Sequence, residues 1–397
     1  MGSRYFDHAA TTAMDPRVTQ AMMPYFTEQF GNPNSLYTLG RDAARALEDA
    51  RTRVAAGIGA AQPAEVVFTS GGSESDNEAF FSILRKVAPE GGHIITSAYE
   101  HDAVLNTAKW LAKHGYDLDL VRPRKDGHVY ADDVGALICK DTKLVSVMHS
   151  NNEIGAINDI RSIAARAHEA GALMHTDAVQ SLGKVPFSVV DLDVDLASFT
   201  AHKLHGPKGV GALYLKRGVR FDALIKGGGQ ETRRRSGTQN VAGAVGFATA
   251  IELALADRDS EATRLSALRD RVIDGLTSRL ENVQATVTQG DRLPNLASLL
   301  VKGVEGESML LQLDNLGFSV STGSACSSGS LEPSHVLLAI GVPQVIAHGS
   351  LRVSLGRDNT EQDVDDLIEA LVPIIEKLRA MSPVYTKMFC GPDAITF

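Results

Sequence analysis

The chain has 397 residues, of which 44% are hydrophobic and 22% charged, and its formal net charge is −9. This length and composition are typical of two or three globular domains with their own hydrophobic cores, and they argue against wholesale disorder. The acidic balance argues against nucleic-acid binding as the main function, so no DNA partner is expected.

The cysteine content and the hydropathy pattern exclude further classes. Cys139, Cys326 and Cys390 are widely separated and form no CxxC pair, which excludes a disulfide framework, a zinc ribbon and a thioredoxin-like redox site. The N-terminal residues lack the apolar core of a secretory signal. The longest mostly apolar stretch, 241–256, contains Glu252 and is too short to span a bilayer. We therefore expect a cytoplasmic protein without membrane contact.

Helical patterns and short β-rich runs alternate through the first two thirds of the chain. Apolar residues recur at helical spacing over 41–58, and further helices are predicted at 76–87 and 160–170. The β-rich runs predict strands at 66–68, 93–95, 144–147, 173–175 and 196–199. This alternation predicts an α/β fold with a mostly parallel sheet that is covered by helices on both faces.

The pattern changes at the polar residues 257–261, which predict a domain boundary. A helix over about 260–280 follows, and strands are predicted at 297–301, 318–321 and 351–354. A closing helix begins at Thr360, with Asp363 as its capping-box partner, and its apolar stripe consists of Val364, Leu367, Ile368, Leu371, Ile375 and Leu378. The sequence thus predicts a large domain over 16–258, a smaller α/β C-terminal domain over 259–397, and an N-terminal segment, 1–15, that packs on the small domain.

The sequence Ser-Gly-Gly-Ser-Glu-Ser at 70–75 follows a predicted strand and opens a helix. Backbone N–H groups and the positive end of the helix dipole at such a turn form a natural seat for a phosphate, although a simple helix cap explains the pattern equally well. No P-loop sequence GxxxxGK[ST] occurs in the chain, and the glycines at 206–211 do not form GxGxxG.

Two polar residues follow predicted strands of the large sheet. Lys203 comes after the strand at 196–199, which places it at the carboxyl edge where α/β proteins bind ligands. Most lysines are solvated, but one that is partly desolvated has a lowered pKa and can form a Schiff base. Asp177 either caps a helix or keeps a pyridinium nitrogen protonated. Ser73, Asp177 and Lys203 together fit the phosphate, ring nitrogen and aldehyde of pyridoxal 5'-phosphate (PLP).

With these residues in place, the sequence resembles the PLP-dependent cysteine desulfurases of the NifS/IscS type, in the class V aminotransferase-like group of PLP fold-type I. The resemblance extends from Phe6 to about Pro383. The matching motifs occur in the family order at 7–12, 30–33, 70–77, 100–101, 151–155, 175–180, 202–209, 235–238, 324–326 and 352–357.

The resemblance implies a complete site without a metal. Lys203 would hold PLP as a Schiff base, His101 would stack on the ring and transfer protons, and Asp177 would pair with the pyridine nitrogen. Arg352 would bind the substrate carboxylate in bidentate fashion, assisted by Asn32. The other cofactor contacts implied are Asn152, Gln180 on the phenolic oxygen, Gly72, Ser73, Thr200 and His202 on the phosphate, and Thr238 from the partner subunit of a homodimer.

Cys326 lies in a small, polar stretch, 324–334. A lone cysteine is more often an inert buried residue, but the family uses the cysteine at this position as the nucleophile that attacks the substrate sulfur and carries the persulfide. Cys139 and Cys390 match no motif. The tail 388–397 differs from the ending of the housekeeping IscS form, which leaves the identity of a scaffold partner open.

The resemblance therefore implies a homodimeric enzyme that converts L-cysteine to L-alanine. Sulfur would remain as a persulfide on Cys326 for transfer to an acceptor protein such as an iron–sulfur scaffold, or into tRNA or cofactor thiolation. A selenocysteine lyase and a class V aminotransferase are alternatives, although amino-group transfer needs no thiol. The presence of Lys203, His101, Asp177, Cys326 and Arg352 argues against a non-enzymatic PLP-fold scaffold.

Overall fold

The computed structural model describes residues 4–323, 332–382, 385–390 and 395–397. Its strands are β1 (Arg4–Tyr5), β2 (Val66–Thr69), β3 (His93–Ser97), β4 (Asp117–Val121), β5 (Thr142–Ser146), β6 (Leu173–Asp177), β7 (Leu196–Thr200), β8 (Gly211–Leu215), β9 (Val283–Ala285), β10 (Leu296–Val301), β11 (Phe318–Ser319) and β12 (Ser350–Ser354). Its helices are α1 (Pro16–Met22), α2 (Pro24–Thr27), α3 (Thr38–Ile58), α4 (Gly72–Val87), α5 (Asp102–Ala112), α6 (Ala131–Gly135), α7 (Ile160–Glu169), α8 (Gln230–Arg233), α9 (Val241–Thr277), α10 (Gly306–Asn315), α11 (His335–Ala339), α12 (Gln344–Ala347), α13 (Glu361–Met381) and α14 (Tyr385–Phe389).

The larger sheet has seven strands in the order β2-β8-β7-β6-β5-β3-β4. All neighbouring pairs are parallel except those that β8 makes with β2 and β7. Neighbouring residues of one strand enter different cores: Val66 and Phe68 pack in one, and Val67 packs in another. This alternation shows that both faces of the sheet are covered, as the continuous apolar strands predict. The predicted α/β fold with a mostly parallel sheet is confirmed.

A second core lies around the antiparallel sheet β12-β10-β9, together with β1, which pairs in parallel with β11. Helix α13 packs its predicted apolar stripe into this core. Its capping box is also present, because the Asp363 backbone N–H donates to Thr360 Oγ1 at 3.2 Å and the Thr360 backbone N–H donates to Asp363 Oδ2 at 2.9 Å. These local signals therefore predict both the start and the buried face of α13.

Helix α9 corrects one sequence prediction. The helix predicted to start at about residue 260 in fact begins at Val241. The polar residues 257–261 do not end it but lie inside this single helix of 37 residues. This segment contains neither glycine nor proline, so it can remain helical on a solvated face. The first part of α9 packs in the core under the large sheet, and its last part packs in the second core. The helix therefore joins the two cores, and the predicted boundary at 258/259 stays a prediction.

No helix in the described part of the chain combines the length and the apolar character that a membrane crossing requires.

Candidate active site

A cavity of about 300 Å³ lies at the carboxyl ends of β6 and β7. This is the edge of a parallel sheet at which α/β proteins bind ligands. Of the residues predicted for the site, the cavity brings together Gly72, Ser73, His101, Asn152, Asp177, Gln180, Thr200, His202, Lys203 and Arg352. Its wall also contains Ala9, Ala10, Asp76, Met148, Ser150 and Val179, which were not predicted.

Lys203 lies at the end of the 3-10 turn Ala201–Lys203, directly after β7. Its Nζ donates hydrogen bonds to the carbonyl oxygens of Ala9 and Ala10, both at 2.6 Å. The N-terminal motif 7–12 thus holds the amine of Lys203 at the cavity. An amine at this edge of the sheet is available to react with an aldehyde once it loses its proton.

Asp177 is the last residue of β6 and is buried, with its Oδ1 accepting the Val179 backbone N–H at 2.9 Å. Burial raises the pKa of Asp177, while the charges of His101 and Lys203 act in the opposite direction. A carboxylate removed from water has a strong electrostatic preference for a cation beside it. The cavity therefore offers a site for a protonated ring nitrogen.

Asp76 is a second buried carboxyl in this wall, and sequence reasoning missed it. Its Oδ1 has no hydrogen-bond partner among the described residues. Burial and the charge of Asp177 raise its pKa well above the ordinary value. The spacing contained a signal: Asp76 follows Ser73 by three residues, and positions i and i+3 share one face of a helix.

The first turn of α4 forms one end of the cavity. The helix begins at Gly72, four residues before the predicted start, because this turn lacks the apolar residues on which the prediction relied. A β-carbon at Gly72 would lie 2.9 Å from Val179 Cγ2, so glycine allows close packing there. Thr200 and His202 line the same cavity. Burial and nearby lysine charges lower the pKa of His202 to about 4, which leaves its imidazole neutral at pH 7.

Arg352 reaches the cavity from β12 and is buried. Its Nη1 donates to the Asn152 carbonyl oxygen at 3.0 Å, and its Nη2 donates to Asp7 Oδ1 at 2.8 Å. Its Nε has no hydrogen-bond partner in the described part of the chain. A buried guanidinium with an unused donor is well suited to bind a carboxylate.

His101 is the N-cap residue of α5, where its Nδ1 accepts the Ala103 backbone N–H at 3.1 Å. Nδ1 therefore acts as the acceptor, and Nε2 carries the ring proton. Gln180 presents its amide at the same cavity, where Nε2 donates to the Ala9 carbonyl oxygen at 2.9 Å.

Two predicted residues, Asn32 and Thr238, do not line this cavity. Asn32 and Thr238 are exposed, and their loops meet through a hydrogen bond of 3.0 Å from Asn34 Nδ2 to Gln239 Oε1. The contribution of Thr238 to a partner subunit stays a prediction. Cys326 lies outside the described residues.

Comparison with known proteins identifies the family. The class-V aminotransferase family model matches residues 4–367. The chain is 47% identical over 379 residues to a cysteine desulfurase IscS from Dictyoglomus turgidum, with 96% of each chain covered. This chain belongs to the cysteine desulfurases of the class-V aminotransferase family. It is also 43% identical to a cysteine desulfurase NifS from Azotobacter vinelandii, over 97% of this chain and 96% of that protein.

Solved structures agree with this assignment. A NifS-like protein with 38% sequence identity superposes with a TM-score of 0.89, covering 95% of this chain and all of that one. A NifS-like protein from Rickettsia africae, 29% identical, superposes with a TM-score of 0.85 over 94% of this chain and 99% of that one. Members of this family are PLP-dependent enzymes of fold-type I, which confirms the family, the fold type, the enzyme class and the cofactor expected from the sequence.

The cavity fits this cofactor. It places a buried carboxylate at Asp177, an amine at Lys203 and a helix N-terminus with hydroxyl groups around one space. These groups match the ring nitrogen, the aldehyde and the phosphate of PLP in charge and in hydrogen-bonding character.

Proposed function

We propose that this cysteine desulfurase converts L-cysteine to L-alanine and retains the sulfur as a persulfide on Cys326 for delivery to an acceptor protein. The observation that carries the proposal is the convergence of Lys203, Asp177 and Arg352 on one cavity. Asp177 ends β6 and Lys203 follows β7 of the seven-stranded sheet, whereas Arg352 lies in β12 of the three-stranded sheet. An amine, an acid and a guanidinium so placed suit the handling of an α-amino acid.

The cofactor and substrate contacts follow from this placement. PLP, when bound, supplies an electron sink for bond cleavage at the substrate. Lys203 holds it covalently and Asp177 keeps its ring nitrogen protonated. Arg352 binds the substrate carboxylate, and Asn32, which lies outside this cavity, assists only if its loop reaches the substrate. The remaining contacts are those of Gln180 and Asn152 with the ring, of Gly72, Ser73, Thr200 and His202 with the phosphate, and of Thr238 across the interface of a homodimer.

Sulfur transfer requires a nucleophile and proton carriers. The Cys326 thiolate attacks the substrate sulfur, so that an S–S bond forms as the C–S bond of the substrate breaks. The electron pair of that bond stays on the carbon skeleton, which takes up protons and leaves as alanine. A free thiol is only a few per cent ionised at pH 7, so a base must take up its proton, either a group of the substrate or His101 after the imidazole has given up its Nε2 proton. In this proposal the enzyme acts in the cytoplasm, and its acceptor is a protein such as an iron–sulfur scaffold.

The test measures alanine and persulfide together. Purified holoenzyme treated with L-cysteine should release alanine and add the mass of one sulfur atom to the peptide that contains Cys326. The variants Cys139→Ser and Cys390→Ser, which change the two other thiols, should behave as wild type. Alanine release without sulfur on Cys326 would overturn the proposal. A parallel series with L-selenocysteine distinguishes a selenocysteine lyase, which would act on that substrate in clear preference to cysteine.

A further inference from the structure

Glu153 is a buried carboxyl that the proposed reaction does not use. It follows Asn152 in a turn that is held by the Asn151 side chain, whose Oδ1 accepts the backbone N–H groups of Glu153 at 2.8 Å and Ile154 at 3.0 Å. The Glu153 side chain is 5% exposed. Since burying a carboxyl costs free energy unless it is well paired, its contacts indicate why it is there.

Ser334 makes the first of these contacts. Its Oγ donates a hydrogen bond to Glu153 Oε2. The same Oγ accepts the backbone N–H groups of Val336 and Leu337, at 3.1 and 3.4 Å, as the N-cap of α11. Glu153 therefore binds the point at which α11 begins.

Gly323 makes the second contact. It precedes Cys326 in the sequence, whereas Ser334 follows it. A β-carbon at Gly323 would lie 2.7 Å from Glu153 Oε2, so the backbone packs directly against the carboxylate. The backbone just before it is bonded to Arg352, whose N–H donates to the Ser321 carbonyl oxygen at 2.7 Å. Gly323 and Ser334 flank the segment 324–331, in which Cys326 lies.

Arg352, the proposed carboxylate-binding residue, is hydrogen-bonded to the same turn. The Asn152 carbonyl oxygen accepts from Arg352 Nη1 at 3.0 Å. Glu153 thus contacts both flanks of the cysteine segment and directly follows the residue that holds the guanidinium. Sulfur transfer needs the thiol and the substrate sulfur in register, and a misplacement of about 1 Å can slow such a step about a hundredfold.

We propose that Glu153 is a positioning residue for sulfur transfer, which holds the two flanks of the Cys326 segment in register with the Arg352 guanidinium. This inference rests on the proposed function, because it takes Cys326 as the nucleophile and Arg352 as the carboxylate-binding group.

The protonation of Glu153 gives its proposed role a pH dependence that can be measured. Burial raises the pKa of Glu153 to about 7, Asp102 of α5 acts in the same direction, and Ser334 and Arg352 oppose the rise. His335, which follows Ser334, contacts the Glu100 carbonyl oxygen through Nε2 at 2.9 Å. Because the folded-state pKa of Glu153 exceeds its unfolded value of 4.5, the fold loses stability as the pH rises from about 4.5 to 7.

The variant Glu153→Gln keeps the size of the side chain and an acceptor for Ser334. Above pH 7 it should raise or preserve the melting temperature, leave the affinity for the product L-alanine within about threefold, and slow persulfide formation at least about tenfold in single-turnover experiments. Glu78→Gln is the matched control, because Glu78 is also fully buried with a pKa raised to about 8. It should gain stability without slowing persulfide formation.

Gly323→Ala provides an independent variant, since its methyl group would displace the Glu153 carboxylate. It should slow persulfide formation, and the double variant with Glu153→Asp should be no slower than Glu153→Asp alone, because both changes disturb one contact. Additive losses, or a Glu153→Gln protein that forms persulfide at the wild-type rate, would overturn the inference.

Alkylation of Cys326 by iodoacetamide in the cofactor-free protein separates the two proposals. In wild type, the pH profile of its rate should show an inflection near pH 7 that Glu153→Gln lacks. This difference supports the role of Glu153 even if the wild-type holoenzyme forms no persulfide, a result that overturns only the proposed function. Identical profiles for the two proteins count against Glu153.

Discussion

The Lys184 Nζ donates a hydrogen bond to Gln180 Oε1 at 2.8 Å. A carbonyl oxygen can only accept, so the Gln180 amide nitrogen, which donates to the Ala9 carbonyl oxygen at 2.9 Å, faces Ala9 and the amide oxygen faces Lys184. Burial, together with the charges of Lys203 and Arg352, lowers the pKa of Lys184 to about 7. Lys184 was not predicted as a site residue, and its hydrogen bond holds the Gln180 amide in this orientation at the cavity.

Lys184→Met should therefore weaken PLP binding. The variant keeps the length of the side chain but frees the amide to rotate, and the loss of one oriented hydrogen bond costs about 1 kcal/mol, or about fivefold in affinity. Absorbance titration of the cofactor-free protein with PLP measures this change. Lys208→Met, at an exposed lysine, is the control, and equal affinities in the two variants would contradict the orienting role.

Lys203→Ala should abolish the covalent link between protein and cofactor. Lys203 directly follows β7, and its amine donates a hydrogen bond to the Ala9 carbonyl oxygen at the cavity. Borohydride reduction of the wild-type holoenzyme followed by peptide mapping should place the phosphopyridoxyl group on Lys203. Recovery of that group on Lys184 or Lys208 would show that the assignment is wrong.

Asp177→Asn should retain PLP but lower turnover at least about a hundredfold. A neutral amide cannot keep the ring nitrogen protonated, and an unprotonated ring is a poor electron sink. Cofactor content, melting temperature and alanine release are measured on the same preparation. Turnover close to wild type in a folded, PLP-containing variant would mean that another group protonates the ring.

Cys326→Ala should separate substrate binding from sulfur transfer. Lys203, Asp177 and Arg352 remain, so L-cysteine should still change the absorbance of the bound cofactor, whereas alanine release and persulfide formation should stop. Stopped-flow absorbance measures substrate binding at the cofactor, and an alanine assay measures the completed reaction. Cys139→Ala, at an exposed thiol, is the matched control. Sustained alanine release by Cys326→Ala would exclude the persulfide route.

Glu231→Gln should destabilise the large domain. Arg51 of α3 makes a buried bidentate pair with Glu231, at 2.6 Å from Nη1 and 2.9 Å from Nη2. Removal of the Glu231 charge leaves the buried Arg51 guanidinium with only the exposed Glu48 carboxylate as a charged partner, so the loss should be up to about 3–5 kcal/mol. Chemical denaturation monitored by circular dichroism tests this. The double variant with Arg51→Met should recover part of the loss, and two additive losses would contradict a direct pair.

The sequence by itself determined the features that depend on neighbours along the chain. Continuous apolar runs place the strands β2, β3 and β5 to β7, and the four-residue box at Thr360 marks the start of α13, because periodicity and capping are local effects. The position of Lys203 after β7 was also predictable, since a parallel sheet presents the carboxyl ends of its strands at one edge.

Tertiary structure decided what depends on residues far apart in the sequence. Helix α9 continues through 257–261 because it packs in two cores, and no local signal encodes both. Arg352 meets Asp7, and Ser334 meets Glu153, across 345 and 181 residues respectively. Lys184 matches no motif, and the motif at 151–155 does not show that Glu153 is buried. Their environments arise only when separate elements pack together and remove these charges from water, which is why the sequence did not reveal their roles.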